Sequence, residues 1–211
     1  NLDSSQSFSV SSHNTASATL SIGTHPFTSG DVLVASDCTQ SAIFQHTGSS
    51  TTDVVHDTSA ASPGNCTQGL KAPVQCASSN SYQYKSDAQV MAAAAYAYYV
   101  DTASNGLPAL FVRSLANNAT TVSSELVQGI ENIQVSYGED LTADGVPNRF
   151  VNANNVGTWT NVVTVKTYLL ARSFKQVASE PQAFSFMGTT YTPTDRYLRQ
   201  EFVSTTKLRN R

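Results

Sequence analysis

The chain has 211 residues, 13% of them charged and 40% hydrophobic, with a net charge of −3. That length fits one domain, 1–211, able to hide roughly 70% of its unfolded surface, and no run of 18 apolar residues is present to span a membrane. Eight basic residues against three acids lie between Lys166 and Arg211. They are spread along strand-like sequence, which favours strands pairing with an acidic body over a nucleic-acid arm.

Apolar and polar residues alternate through most of the chain, the signal of half-buried strands. Ala16 to Ile22 alternates, a turn follows at Thr28-Ser29-Gly30, and Asp31 to Ser36 reads as a buried strand with Ser41 to His46 as its hairpin partner. Residues 48–85 form a long Ser/Thr/Pro/Gly-rich region, interrupted by short strands around Val54-Val55 and Tyr82-Gln83-Tyr84. The alanine run within Met91 to Val100 favours helix. Alternation of Tyr96, Tyr98 and Val100 before Asn105-Gly106, with a second apolar run beyond it, points instead to a hairpin. Ser124 to Ile130 reads as one helical turn, capped by Ser123 or Ser124 and ended by Gly129. Ile133 to Tyr137 is a strand, and Gly138 to Asn155 a polar loop. After Trp159 a long strand places Val163, Val165, Thr167, Leu169 and Ala171 on one face and Val162, Lys166, Tyr168, Leu170 and Arg172 on the other, as expected of a central strand buried on much of both sides. The last strand, Tyr197 to Leu208, puts Leu198, Phe202 and Leu208 on one face and Arg199, Glu201 and Lys207 on the other. The fold class is α+β, strongly β-rich, with antiparallel sheets and little helix.

Few residues point to chemistry. The nucleophile-elbow, zinc-protease, dinucleotide-fingerprint and phosphate-loop motifs are all absent, which argues against an enzyme. Three cysteines, Cys38, Cys66 and Cys76, lack zinc-ligand spacing. Cys66 and Cys76 lie in loops that read as exposed, so a Cys66–Cys76 clip formed in an oxidising compartment is expected. Cys38 is then buried and inert, or paired upstream; its bonding to Cys66 or Cys76 also stays open. His46 and His56 with Asp53 and Asp57 are a conceivable acid–base or metal cluster, but in such a polar loop solvated histidines are the plainer reading. Glu139, Asp140 and Asp144 crowd one loop, and Asp140 with Asp144 are candidate calcium ligands. The favoured alternative is a turn tightened by Asp144-Gly145. No cofactor is otherwise expected.

The second half carries a resemblance. Glu125-Leu126-Val127-Gln128-Gly129-Ile130-Glu131, continuing to Gln134-Val135-Ser136-Tyr137-Gly138, is similar to a stretch of PilW-type minor pilins of type IV pili. An Asp/Gly-rich loop follows, then Trp159 to Ser173, which resembles that family's long strand, and Asp195-Arg196-Tyr197-Leu198-Arg199 with Phe202, Thr205 and Thr206 near the end. Residues 30–45 match in character; 48–85 do not align. The resemblance implies a pilin-like globular head, with an apolar helix expected before Asn1. It further implies a non-enzymatic subunit of the priming and tip complex, at the periplasmic face of the inner membrane and the pilus tip, supporting adhesion, twitching motility or DNA uptake. Its partners would be other minor pilins, the major pilin and, through the helix, the inner-membrane assembly machinery, with no direct nucleic acid. Arg196 and Arg199 are candidate partner contacts. The alternatives are a type II secretion pseudopilin of the J class, or an adhesive, ligand-binding head.

Overall fold

Strands follow one another for most of the chain in the computed structural model, which describes residues 2–59, 62–77, 80–115 and 120–208. The chain expected to form one domain clusters into two compact units, one running up to Ala97 and including Arg113–Ser123, the other comprising Tyr98–Val112 and Ser124 onward. Among the described residues, helix is limited to 3-10 turns at Ala153–Asn155 and Trp159–Asn161, and no helix is long and apolar enough to cross a membrane.

The first unit contains β1 (Leu2–Ser9), β2 (Ser12–Asn14), β3 (Thr19–Ser21), β4 (Val32–Ser36), β5 (Ser41–Gln45), β6 (Asp53–Val55) and β7 (Gln89–Ala93). One antiparallel sheet has the order β1-β7-β4-β5 and a second the order β2-β3-β6. Alternation does what it predicts in β4: Leu33 and Ala35 are buried and pair with Phe44 and Ala42 of β5. Leu20, Val54, Tyr84 and Val90 join them in one core. The predicted β4–β5 hairpin and the strand at Val54-Val55 are both present. Tyr82 to Tyr84 forms no strand: Tyr84 donates its N–H to His13 Nδ1 (3.1 Å) and Gln83 Nε2 donates to the His13 carbonyl (3.1 Å), so side chains replace a ladder.

Beyond lie β8 (Tyr96–Thr102), β9 (Pro108–Leu115), β10 (Thr121–Gln128), β11 (Ile130–Glu139), β12 (Arg149–Val151), β13 (Val162–Arg172), β14 (Phe184–Phe186), β15 (Thr189–Tyr191) and β16 (Arg199–Lys207). The Met91 to Val100 conflict resolves as strand, with Gly106 at φ +80° in the β8–β9 turn. The helical turn expected at Ser124 to Ile130 is wrong. Thr121, Val122 and Val127 belong to strand β10 beside β9, and β-branched residues suit that setting better than a helix. Gly129, at φ +84°, does not end a helix but turns β10 into β11, donating to the Pro108 carbonyl and accepting from Arg172 N–H, both at 2.7 Å. The loop expected from Gly138 to Asn155 is shorter, since Gly138 and Glu139 still pair with β12. In the principal sheet, β12-β11-β13-β16, the long strand β13 is interior, as its sequence requires.

Candidate assembly interface

Register decides what each face of this sheet carries. Ile133 pairs with Leu169, which pairs with Phe202, and Tyr137 pairs with Val165. Direct partners share a face, so these side chains and Val135 make one apolar patch, crossed by the hydroxyl side chains of Thr167, Ser204 and Thr206. Its members on β11 and β13 are only half-buried, and Phe202 is 57% exposed. Trp159, also 57% exposed, stands edge-on to Tyr137 at 5.0 Å.

The opposite face is mixed: it carries buried Leu170 with Tyr168, Lys166 and Arg172 on β13 and Val203 on β16. Arg172 and Arg199 are direct cross-strand partners, a like-charge pair that is unfavourable by itself. Glu131 lies between them, at 2.9 Å from Arg172 and 2.6 Å from Arg199. Asp195 takes two further Arg199 donors at 2.7 and 2.8 Å, and that guanidinium holds the Asp195 carboxyl down at about 2. Hydrogen bonds to Asp195 and Glu131 raise Arg199 in turn, although burial works against them. The arginine expected to contact a partner is therefore a buried internal tie, its side chain 7% exposed. Arg196 is exposed, with its backbone N–H donated to Gln176 Oε1 at 3.0 Å.

Glu139 and Asp140 organise the loop that returns to β13. Burial pushes the Glu139 carboxyl up, but N–H donors from Thr158 (3.2 Å) and Gly157 (2.8 Å), with Arg149 at 2.7 Å, outweigh it and leave it low. Asp140 follows the same balance: burial raises it, and backbone N–H groups including Gly145 (2.7 Å) and Thr142 (3.1 Å) lower it further. Its oxygens thus face donors, the arrangement of a turn. Asp144 is exposed and accepts Val146 N–H at 2.8 Å. Among the described residues no group of three or more His, Cys, Asp or Glu is placed to hold a metal.

In the first unit Cys66 and Cys76 form a disulfide, and Cys38 is free and exposed, not buried. Asn65, beside the disulfide, accepts Gln45 N–H (2.7 Å) through its side-chain carbonyl and donates Nδ2 to the Gln45 carbonyl (2.7 Å). The histidines correct the expectation of solvated side chains: His13, His25, His46 and His56 are all buried. Asp53 accepts from Ser21 (2.6 Å) and Asp57 from Ser59 (2.6 Å), so neither completes an acid–base cluster with His46 and His56. Glu131 was not singled out by its sequence, and Glu139 only as one of three acids in a loop; the available signal for Glu131 was a carboxylate set inside a strand, which requires a partner.

These features define a β-rich protein with a half-buried apolar patch on its principal sheet and internal ion pairs. A family model described as Type IV Pilus-assembly protein W matches residues 97–210, more than half of the chain and nearly the whole second unit. The chain belongs to this pilus-assembly family. No curated protein and no solved structure matches it significantly.

Proposed function

We propose that this chain is the head of a minor pilin, a non-enzymatic subunit of the priming and tip complex of a type IV pilus. It acts in the periplasm and at the pilus tip, beside other minor pilins and the major pilin, anchored by an apolar helix before Asn1. The observation that carries this reading is the patch of half-buried Ile133, Val135, Tyr137, Val165 and Leu169 with exposed Phe202, which lies wholly within the family-matched residues. Apolar area left open on a sheet face is what helix or subunit packing consumes, at roughly 25 cal/mol per Å² buried. Adhesion, twitching or DNA uptake would follow from piliation. The test replaces Ile133→Glu or Leu169→Glu in the native gene, after confirming that each purified head keeps its melting temperature. Loss of piliation and of minor-pilin co-purification is expected. Full piliation by both variants overturns the reading, and loss of secretion with intact pili transfers the chain to the J-class pseudopilins.

A ligand-binding head has one observation in its favour. A cavity of about 350 Å³ lies between β5 and the disulfide loop, lined by Ile43, Phe44, Asn65, Cys66, Leu70 and Val74. Surface binding that disappears on deleting residues 62–76 while piliation persists would support it.

A further inference from the structure

β16 ends the principal sheet, and only one of its two edges is paired. Leu208 N–H donates to Val163 O, and Ser173 N–H donates to Leu198 O, both at 2.8 Å. Antiparallel ladders alternate, so even-numbered backbone groups of β16 face β13. Those of Glu201, Val203, Thr205 and Lys207 face outward. Among the described residues no backbone group bonds to them; the Glu201 carbonyl takes only the Gln200 side-chain amide at 3.0 Å. Exposed edges usually carry Pro or charged side chains. Phe202-Val203-Ser204-Thr205-Thr206 carries none of these.

We infer that this edge pairs with the same edge of a second copy of the chain, antiparallel and centred on Ser204. The register is set by the sequence itself. With Ser204 opposite Ser204, outward-facing Val203 meets Thr205, and Glu201 meets Lys207 of the second copy, twice by symmetry. Outward groups then meet outward groups, forming up to about eight backbone hydrogen bonds. An acid stands opposite a base at each end, the favourable cross-strand pairing. A shift of one residue loses both matches. Glu201 Oε1 accepts Met187 N–H at 2.7 Å within the chain. Phe202 and Val203, both at least half-exposed, lie on opposite faces and gain cover in the pair. The contact is isologous, so it closes at two copies. It uses the strand edge, sharing only Phe202 with the apolar patch, and its oligomeric readout is separate from the piliation test of the pilin reading.

The test is sedimentation equilibrium of the purified chain from micromolar to millimolar concentration. A dimer is expected. Glu201→Lys and Lys207→Glu should each weaken it by about tenfold, because two attractive pairs become repulsive. The two single variants mixed one to one should recover wild-type association, since their charges complement across the pair, as should the double charge swap. Thr205→Pro removes an outward N–H on an edge that tolerates proline, and should abolish the dimer with the melting temperature retained. A monomer throughout overturns the inference, even if a strand of another protein binds the edge. So does a dimer indifferent to both charge changes and to Thr205→Pro, which would place the contact elsewhere.

Discussion

His13 Nε2 lies 3.0 Å from His56 Nε2, and the backbone decides which ring holds the proton between them. Tyr84 N–H donates to His13 Nδ1 at 3.1 Å, which leaves the His13 proton on Nε2. His56 Nδ1 lies 3.0 Å from the Gln68 carbonyl and must donate to it, leaving a lone pair on its own Nε2. The pair is therefore built for two neutral rings. A second proton would set N–H against N–H in a site that Phe44 and Tyr84 close off.

Acid should loosen the first unit before the second. Burial lowers both members of the pair, His56 to about 4 with His13 adding to it, and burial lowers His46 as well. Folded values below the unfolded 6.5 mean that the unfolded chain binds more protons in this window. The stability contribution is thus whole above 6.5 and is lost as pH falls toward 4. His56 alone accounts for about 3 kcal/mol of that loss. Protection factors at Leu20 and Val54, taken relative to intrinsic exchange at each pH, should fall between pH 7 and 4.5, and His56→Gln should flatten the slope while lowering stability at pH 7. Protection that is constant over this range would refute the account.

Opening Cys66–Cys76 should destabilise the same unit. The bond closes a short loop, with a sequence separation of 10, for which chain entropy gives roughly 3 kcal/mol. Urea unfolding of Cys66→Ser/Cys76→Ser should show that loss. Exposed Cys38 should react with maleimide in the native state without moving the midpoint.

Glu131→Gln should cost the second unit about 2 kcal/mol, because two neighbouring guanidinium groups lose their shared counter-charge. Adding Arg172→Met should return part of that stability. An equal, additive loss in the double variant would mean that Glu131 does not mediate between the arginines.

Strand positions were largely legible in the sequence because period-two alternation and burial are the same fact seen twice, as in β4 and β13. The reading failed where a local signal was overruled by a distant partner. Gly129 resembles a helix stop, yet Pro108 and Arg172, remote in sequence, use it as a corner between strands. The histidines look solvated among serines and threonines; their burial depends on Tyr84 and Gln68, which no local pattern connects to them. Arg199 was legible as a cation but not as an internal one, since Glu131 is 68 residues away.

Asp140→Ala should release the loop from Leu141 to Asn148, seen as faster exchange at Thr142 and Gly145, whose N–H groups it accepts. Because those donors already fill the carboxylate, millimolar calcium should leave the melting temperature unchanged. A calcium-dependent rise would restore Asp140 and Asp144 as ligands.

At Gln45 the side chain of Asn65 supplies one acceptor and one donor, the same two bonds a neighbouring strand would supply. A single amide thus impersonates a strand and fills that position on β5 against a newcomer. Replacing it with Asp would keep the acceptor, delete the donor and set a carboxylate against the Gln45 carbonyl. One atom changed from nitrogen to oxygen would then leave the Gln45 position of that edge without its donor.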